Sequence, residues 1–174
     1  MKDQEIYDNM LLVGSSLGNI DSGDLEKAMN TIAFHETGGK MDPTIHQYEG
    51  GPGRGLFQYE IMQGDGSGAG RTAMNRVYNL MQDQGMEVPK WVAEHFQVNK
   101  YGGIDPYGDV DASALTKQQQ KILFLSDKIK DPAVKLSDLN KDSLSEWWAK
   151  NHRKKRGLKE ELLFKTHQFL YKNQ

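Results

Sequence analysis

Two short strings in this 174-residue sequence combine residue types that can carry chemistry. The string HETGG (residues 35–39) places the carboxyl group of Glu36 two positions before a pair of glycines, and the string GRGLFQ (residues 53–58) follows it along the chain. Ten of the 18 glycines lie between Gly38 and Gly70. Because glycines let a polymer backbone approach closely, the two strings predict a cleft with an acidic group at its edge.

Glu36 is the candidate proton donor of this cleft. Leu25, Met29 and Ile32 recur at helical spacing, so we predict a helix from about residue 24 to 35 or 36 in which Glu36 continues the apolar stripe. Desolvation and the negative end of the helix dipole both raise the pKa of a carboxyl group at such a place. A carboxyl that keeps its proton near neutral pH can act as a general acid.

Both strings resemble signatures of the lysozyme-like superfamily of peptidoglycan- and chitin-cleaving glycosidases. HETGG is similar to the Glu-Ser/Thr-Gly signature in which the Glu that closes a helix is the general acid. GRGLFQ resembles the Gly-Leu-Met/Phe-Gln element of lytic transglycosylases and goose-type lysozymes, and also the Gly-Arg-Gly-x-x-Gln element of family 19 chitinases. The glutamines at 118–120 look like the later helix of phage tail lysozyme domains, in which an Arg comparable with Arg71 follows the glycine-rich strand.

The resemblance covers about residues 10–130 and implies a mainly α fold of the α+β lysozyme-like kind, with a small glycine-rich β element beside the catalytic helix. It implies a glycosidase that cleaves the β-1,4 bonds between N-acetylmuramic acid and N-acetylglucosamine in bacterial peptidoglycan. Such a reaction protonates a poor leaving-group oxygen while positive charge develops on the sugar ring, which is the task given to Glu36. We expect no cofactor and no metal.

The identity of a second carboxylate stays open in the sequence. Glu49 precedes GRG as a second acidic residue does in family 19 chitinases, where it would activate water at roughly 6.5–9.5 Å from the acid in an inverting hydrolysis. Glu60 and Asp65 are rival candidates. A lytic transglycosylase works with one Glu, which protonates the leaving group and then deprotonates the muramic 6-hydroxyl to leave a 1,6-anhydro end. Thr37 replaces the Ser that often follows that Glu and does not decide between the outcomes.

Residues around the glycine-rich element are candidates for binding sugar. Three aromatic residues alternate there with polar positions, so their rings either stack on a sugar or fill the core. The amide of a glutamine offers hydrogen bonds to hydroxyl groups. The candidate set is Tyr48, Gly55, Phe57, Gln58 and Tyr59.

The remaining sequence predicts a helical framework in one domain, 1–174, that ends in a basic helical extension over 131–174. We predict loops and short strands over 40–70, with a strand at 56–59, and an irregular, partly helical stretch over 87–113. Trp147 and Trp148 are expected to pack inside the protein, and His35 is expected either to pack there or to hydrogen-bond to a loop. Helices are predicted at about 71–84, from Thr116 to 130, around 144–148 and around 158–169.

Composition excludes several classes of protein. The absence of cysteine excludes a disulfide framework, a zinc ribbon, an iron–sulfur cluster and a cysteine nucleophile. With 26% charged and 37% hydrophobic residues and a net charge of −2, the chain is neither largely disordered nor a protein that coats nucleic acid. No run of 18 apolar residues predicts a membrane span.

The charge is divided unevenly along the chain. Residues 150–174 hold eight Lys and Arg against two Glu, net +6, which leaves 14 basic and 22 acidic residues, net −8, in the rest. The basic run is either a solvated helix end or a surface for an anionic polymer such as peptidoglycan peptides, teichoic acid, lipopolysaccharide phosphate or DNA. We favour the second interpretation.

The first residues, with Asp3, Glu5 and Asp8, do not look like a secretory signal. Together with the phage-lysozyme resemblance, this leads us to expect a phage protein. It would be either a virion lysozyme that contacts other virion proteins and cuts the wall during entry, or an endolysin held in the host cytoplasm before release. The alternatives are a family 19-like chitinase and a non-catalytic virion or wall-binding protein with a lysozyme fold.

Overall fold

The computed structural model describes residues 1–61, 68–140, 142–152 and 157–173. Over these ranges the chain forms seven α-helices and two small antiparallel sheets, so the mainly α class predicted from the sequence is confirmed. The helices are α1 (Asp3–Gly18), α2 (Ser22–Glu36), α3 (Ala69–Asp83), α4 (Lys90–Ala93), α5 (Lys117–Lys130), α6 (Leu144–His152) and α7 (Gly157–Lys172). The strands are β1 (Gly53–Arg54), β2 (Tyr59–Glu60), β3 (Phe96–Val98) and β4 (Ile104–Pro106).

The core is built around α5, which packs against α1 and α3, while α2 packs against α1. The apolar stripes of these helices meet there, and Ile6, Met29 and Ile122 are fully buried. Gly14 lets α1 and α2 approach closely, since a Cβ atom at this position would lie 2.9 Å from a side-chain carbon of Leu25. Helix α1 was not among the predicted elements.

Two predicted helices are confirmed with small shifts at their ends. Helix α3 buries Met74, Val77 and Met81 as its periodicity indicates. Thr116 caps α5, because its hydroxyl accepts a hydrogen bond from the backbone N–H of Gln119 at 3.2 Å. Helix α2 begins at Ser22, with Asp21 as its N-cap.

The predictions about β structure were only partly right. Of the strand expected at 56–59, Tyr59 begins β2, but residues 56–58 form the turn between β1 and β2, because Gly55 and Gln58 have positive φ angles of 74° and 51°. The irregular, partly helical stretch predicted over 87–113 does contain helix α4, but it also contains the β3–β4 hairpin, which was not predicted. In this hairpin Phe96, Gln97 and Val98 pair with Pro106, Asp105 and Ile104.

Helices α6 and α7 pack behind α2. Trp147 and Trp148 are buried, as predicted, and the Trp148 ring stacks on Phe164 with ring centroids 4.6 Å apart. The basic residues 153–156 lie outside the described residues. Within the ranges that the structure describes, no helix has both the length and the apolarity needed to cross a bilayer.

Candidate active site

Glu36 is the last residue of α2, and its side chain is half-buried. It lies on the helix face that carries Leu25, Met29 and Ile32, each about 1% exposed. The burial of this stripe agrees with the periodicity read from the sequence. The carboxyl group of Glu36 is therefore placed where the apolar face of α2 reaches the surface at the helix C-terminus.

The chain leaves Glu36 through a turn fixed by Thr37. The Thr37 hydroxyl donates to the carbonyl of Ala33 at 2.8 Å and accepts from the backbone N–H of Met41 at 2.9 Å. Gly38 and Gly39 follow with φ angles of 57° and 82°, a left-handed conformation that ends the helix. Because Thr37 is only 2% exposed, this double hydrogen bond is shielded from water and holds the turn beside Glu36 in one position.

The following residues connect this turn to the GRGLFQ string. The backbone N–H of Gln47 donates to the carbonyl of Gly53, and that of Gly55 donates to the carbonyl of Ile45, both at 2.8 Å. β1 then pairs with β2 in antiparallel register, Gly53 with Glu60 and Arg54 with Tyr59. The two strings singled out in the sequence thus belong to one continuous structural unit.

Gln120 of α5 fastens this unit to the helical core. Its side-chain oxygen accepts from the backbone N–H of Leu56 at 2.7 Å, and its amide nitrogen donates to the carbonyls of Pro43 and Leu115 at 2.8 and 2.9 Å. Sequence reasoning noted the glutamine-rich segment but missed this role. The available signal was a polar residue four positions before Phe124, on the face of α5 that enters the core.

Gly55 is required by the contact with Gln120. A Cβ atom at this position would lie 2.3 Å from the Gln120 side-chain oxygen, and the φ angle of 74° disfavours other residues in any case. Gln58 closes the turn, since its half-buried side chain donates to the Gly55 carbonyl at 2.8 Å. Both residues shape the backbone of the β1–β2 turn.

The structure corrects the sugar-stacking interpretation of Phe57 and Tyr59. Each is 8% exposed. The Phe57 ring stacks on Phe124 at 4.2 Å between centroids, and the Tyr59 hydroxyl donates to Asp127 at 2.9 Å. Burial beside the Asp127 carboxylate raises the pKa of Tyr59 well above its ordinary value. These rings fill the core, and their faces are not open to a ligand.

Tyr48 and Glu49 lie in a short exposed 3-10 turn (Tyr48–Gly50) that leads into β1. The Tyr48 side chain is 86% exposed, and Glu49 is also exposed. Glu49 has a φ angle of 57°, which is uncommon for a residue other than glycine. Strained backbone of this kind often occurs at functional sites, which makes Glu49 a stronger candidate than a surface carboxylate alone. Of its rivals, Glu60 is exposed on β2, and Asp65 lies outside the described residues.

Arg54 and Arg71 hold neighbouring segments in place. The Arg54 guanidinium donates to the carbonyls of Gly51 and Gly53 at 2.7 and 2.9 Å, which fixes the glycine-rich turn before β1. Arg71, at the start of α3, donates to the carbonyl of Pro106 at 2.8 Å and so joins α3 to β4.

His35 points away from the face of Glu36 and joins α2 to α7. Its Nδ1 lies 2.8 Å from Nδ1 of His167, so one nitrogen must donate and the other accept. His35 is therefore packed inside the protein, which was one of the two predicted alternatives, and its partner His167 lies on a helix. Burial lowers the pKa of His167, which favours a neutral ring there. The pair holds α7 behind the end of α2.

A cavity of about 390 Å³ lies between α2, the start of α6 and the end of α7. Its walls include Ala28 and Thr31, which lie on a different face of α2 from the stripe that Glu36 continues. The cavity is therefore separate from the candidate active site. In the described part of the chain, no group of three or more His, Asp and Glu side chains is placed to hold a metal ion.

Comparisons of the chain with protein-family models, curated proteins and solved structures found no match. The case for the candidate site rests on its own geometry: a half-buried carboxyl at a helix end, a glycine turn, and an exposed 3-10 turn (Tyr48–Gly50) before the β1–β2 hairpin. Such an arrangement can donate a proton to a polymer that lies along the glycine-rich surface.

Proposed function

We propose that this chain is a peptidoglycan-cleaving glycosidase in which Glu36 is the general acid. The observation that supports this most directly is the joining of HETGG and GRGLFQ into one unit, with Gln120 bonded both to Pro43 after Glu36 and to Leu56 of the turn. These strings carry the resemblance to lysozyme-like glycosidases. One buried side chain links Leu56 of GRGLFQ to Pro43, four residues after HETGG.

In the proposed reaction, Glu36 protonates the oxygen of the β-1,4 bond as that bond breaks. Glu36 is half-buried at the C-terminus of α2, on the face that carries Leu25, Met29 and Ile32, and the step needs its carboxyl in the protonated form. Gly38 and Gly39 leave room for the glycan backbone beside the acid, since neither adds a side chain. The exposed ring of Tyr48 is available to stack on a sugar.

Breaking the bond leaves positive charge on the sugar ring, and the group that then reacts with this ring depends on the role of Glu49. If Glu49 activates water, the products are reducing ends; if Glu36 alone acts as acid and then base, the products are 1,6-anhydro ends. The exposed position and strained backbone of Glu49 favour a role for it. We therefore propose hydrolysis as the first outcome to test.

The deciding experiment is digestion of purified sacculi by the wild-type chain, Glu36→Gln, Glu49→Gln and its rival Glu60→Gln, with Glu87→Gln as the matched control. We expect Glu36→Gln to abolish release of soluble fragments while its thermal unfolding stays close to wild type, because the change is isosteric. Glu87 is exposed between α3 and α4, outside both strings, so Glu87→Gln should retain activity. Mass spectrometry of the released muropeptides identifies the ends.

Each result has a distinct meaning. Retained activity in Glu36→Gln would contradict the catalytic assignment. Anhydro ends with a silent Glu49→Gln would identify a lytic transglycosylase, and cleavage of chitin oligomers in preference to sacculi would indicate a chitinase. Binding of the wild-type chain to sacculi without fragments would indicate a non-catalytic wall-binding protein.

We further propose a phage setting, either in the virion with other virion proteins or in the host cytoplasm before release. The phage-lysozyme resemblance supports it. Peptide mass spectrometry of purified particles from a phage that encodes the chain distinguishes the two, because only a virion protein stays with the particles after purification.

A further inference from the structure

The outward face of α7 carries four large apolar side chains. Leu162 and Phe169 are each 67% exposed, and Leu163 and Leu170 are 45% and 49% exposed. The two members of each pair are seven residues apart, which places all four on one side of the helix. The four side chains span residues 162–170, nine of the 16 residues of the helix.

The opposite face of α7 already fixes the helix to the protein. Phe164 is fully buried, and its ring contacts His35 with centroids 5.0 Å apart. His167 bonds to His35, and Tyr171 contacts the ring of Phe34. The outward apolar side chains are therefore not needed to pack α7 onto α2 and α6.

The charges around this face are basic. Lys159, Lys165 and Lys172 are exposed, and Lys165 is ion-paired with Glu161 at 2.8 Å. Glu160 and Glu161, the acidic residues of α7, are half-buried. In the sequence, residues 153–156 are Arg-Lys-Lys-Arg and stand directly before α7, so the segment from 150 to 174 has a net charge of +6. The exposed apolar face thus lies within the most basic part of the chain.

Size and charge argue against a second copy of the chain as the partner. A 16-residue helix presents a strip about 24 Å long and about 10 Å wide, or about 240 Å². A stable interface needs about 800 Å² from each partner. Two copies joined here would also place the exposed Lys159 of each copy at the same interface. An anionic polymer would satisfy the charges but leave the leucines in water.

We propose that the outward face of α7 binds the surface of an anionic phospholipid bilayer. A helix with Leu and Phe on one face and Lys at its flanks lies in the plane of the interface, with its apolar side chains among the acyl chains and its cations at the phosphates. The proposal concerns binding at the surface only, and it does not depend on the proposed catalytic activity.

The test is co-sedimentation of the full chain with vesicles of phosphatidylglycerol and phosphatidylcholine, compared with vesicles of phosphatidylcholine alone. Leu162→Gln with Phe169→Gln should weaken binding to the anionic vesicles by roughly tenfold. Leu12→Gln with Leu17→Gln is the matched control, because these α1 leucines are 62% and 68% exposed, and it should bind as wild type does. Lys159→Gln should weaken binding by roughly fivefold at low salt.

Thermal unfolding of each variant checks the fold, and Leu163→Gln with Leu170→Gln provides a second pair on the same face. Equal binding by the α7 and α1 pairs would overturn the proposal, as would equal binding to neutral and anionic vesicles.

Sedimentation velocity without lipid measures whether the chain forms a dimer. A dimer that the α7 pair abolishes would assign this face to a second copy and overturn the proposal. If the vesicles do not bind and double-stranded DNA binds the wild type and the α7 pair equally, the proposal is overturned in favour of an anionic polymer.

Discussion

The two small sheets differ in what their side chains contact. Both sheets adjoin α3, and both are antiparallel pairs of short strands. The turn and second strand of the β1–β2 hairpin bury Leu56, Phe57 and Tyr59 in the core. In the β3–β4 hairpin, Val98 and Ile104 are 71% and 51% exposed. The first sheet is part of the core, and the second stands largely outside it.

The turns of the two hairpins are also held differently. The β1–β2 turn depends on Gln120, which is 64 residues away from Leu56 in the chain. The β3–β4 turn is held by its own Asn99, whose side-chain oxygen accepts from the backbone N–H groups of Tyr101 and Gly103 at 2.9 Å. A turn held by a distant helix has a fixed position relative to the rest of the core, which a site beside Glu36 requires. A turn held locally can change without moving that site.

Substitution of one glycine in each turn tests this difference most strongly. Gly55 and Gly102 have φ angles of 74° and 80°, but a Cβ atom at Gly55 would meet Gln120 at 2.3 Å, whereas one at Gly102 would have nothing within 4 Å. We expect Gly55→Ala to lower the free energy of unfolding by about 3 kcal/mol or more, and Gly102→Ala by about 1 kcal/mol. Urea denaturation measures both. Equal losses would contradict the distinction between the two turns.

The side chains that hold the two turns provide the next test. Gln120→Met leaves the N–H of Leu56 and the carbonyls of Pro43 and Leu115 without this partner inside the protein, so we expect a loss of about 2–3 kcal/mol. Asn99→Ala acts on an exposed turn and should cost about 1 kcal/mol or less.

Activity on sacculi extends that test to the site. At a temperature where both variants are folded, Gln120→Met should also lose activity, because the β1–β2 turn is no longer fixed relative to Glu36. Asn99→Ala should keep it. Full activity in Gln120→Met would show that the position of this turn does not matter to the reaction.

The contrast between the hairpins also explains what the sequence could predict. Helices α3 and α5 were predictable because their apolar spacing and the Thr116 cap are local signals. The end of α2 at Glu36 was predictable for the same reason, through the stripe from Leu25 and the two glycines. Helix α1 was not predicted, although Ile6 and Met10 have helical spacing, because Gly14 and Gly18 lie within it and glycine disfavours a helix.

The β1–β2 hairpin was only partly predictable because distant contacts determine it. The alternation of Tyr48, Phe57 and Tyr59 with polar residues fits a ring that stacks on a ligand as well as a ring that packs inside. Phe124 and Asp127, on a helix more than 60 residues later, settle the place of Phe57 and Tyr59. No local pattern in the sequence indicates those partners.

The pH dependence of stability should separate a buried from an exposed tyrosine. The pKa of Tyr59 is raised in the folded protein, so above about pH 10 the unfolded chain loses a proton that the folded chain keeps. Stability therefore falls as the pH rises past that value. Tyr59→Phe should lower stability at pH 7 by about 1–2 kcal/mol but reduce the alkaline fall.

Urea denaturation between pH 7 and pH 11 measures this effect, and Tyr101→Phe in the β3–β4 turn is the control. Since Tyr101 is 84% exposed, its replacement should leave stability at pH 7 unchanged. Burial beside Glu26 raises the pKa of Tyr7 as well, so part of the alkaline fall should remain in Tyr59→Phe. An alkaline profile identical to wild type would contradict the role given to Tyr59.

The smallest expected effect compares the exposed tyrosines of the two hairpin regions. Tyr48 and Tyr101 are 86% and 84% exposed, so Tyr48→Ala and Tyr101→Ala should each change stability by about 0.5 kcal/mol or less. Only Tyr48 lies in the segment of the chain that runs from Glu36 to the β1–β2 hairpin. If its ring stacks on a sugar, Tyr48→Ala should raise KM for soluble glycan fragments roughly threefold to tenfold, while Tyr101→Ala leaves KM unchanged. An increase in KM for Tyr101→Ala alone would place the glycan along the β3–β4 hairpin and reverse the assignment of the two regions.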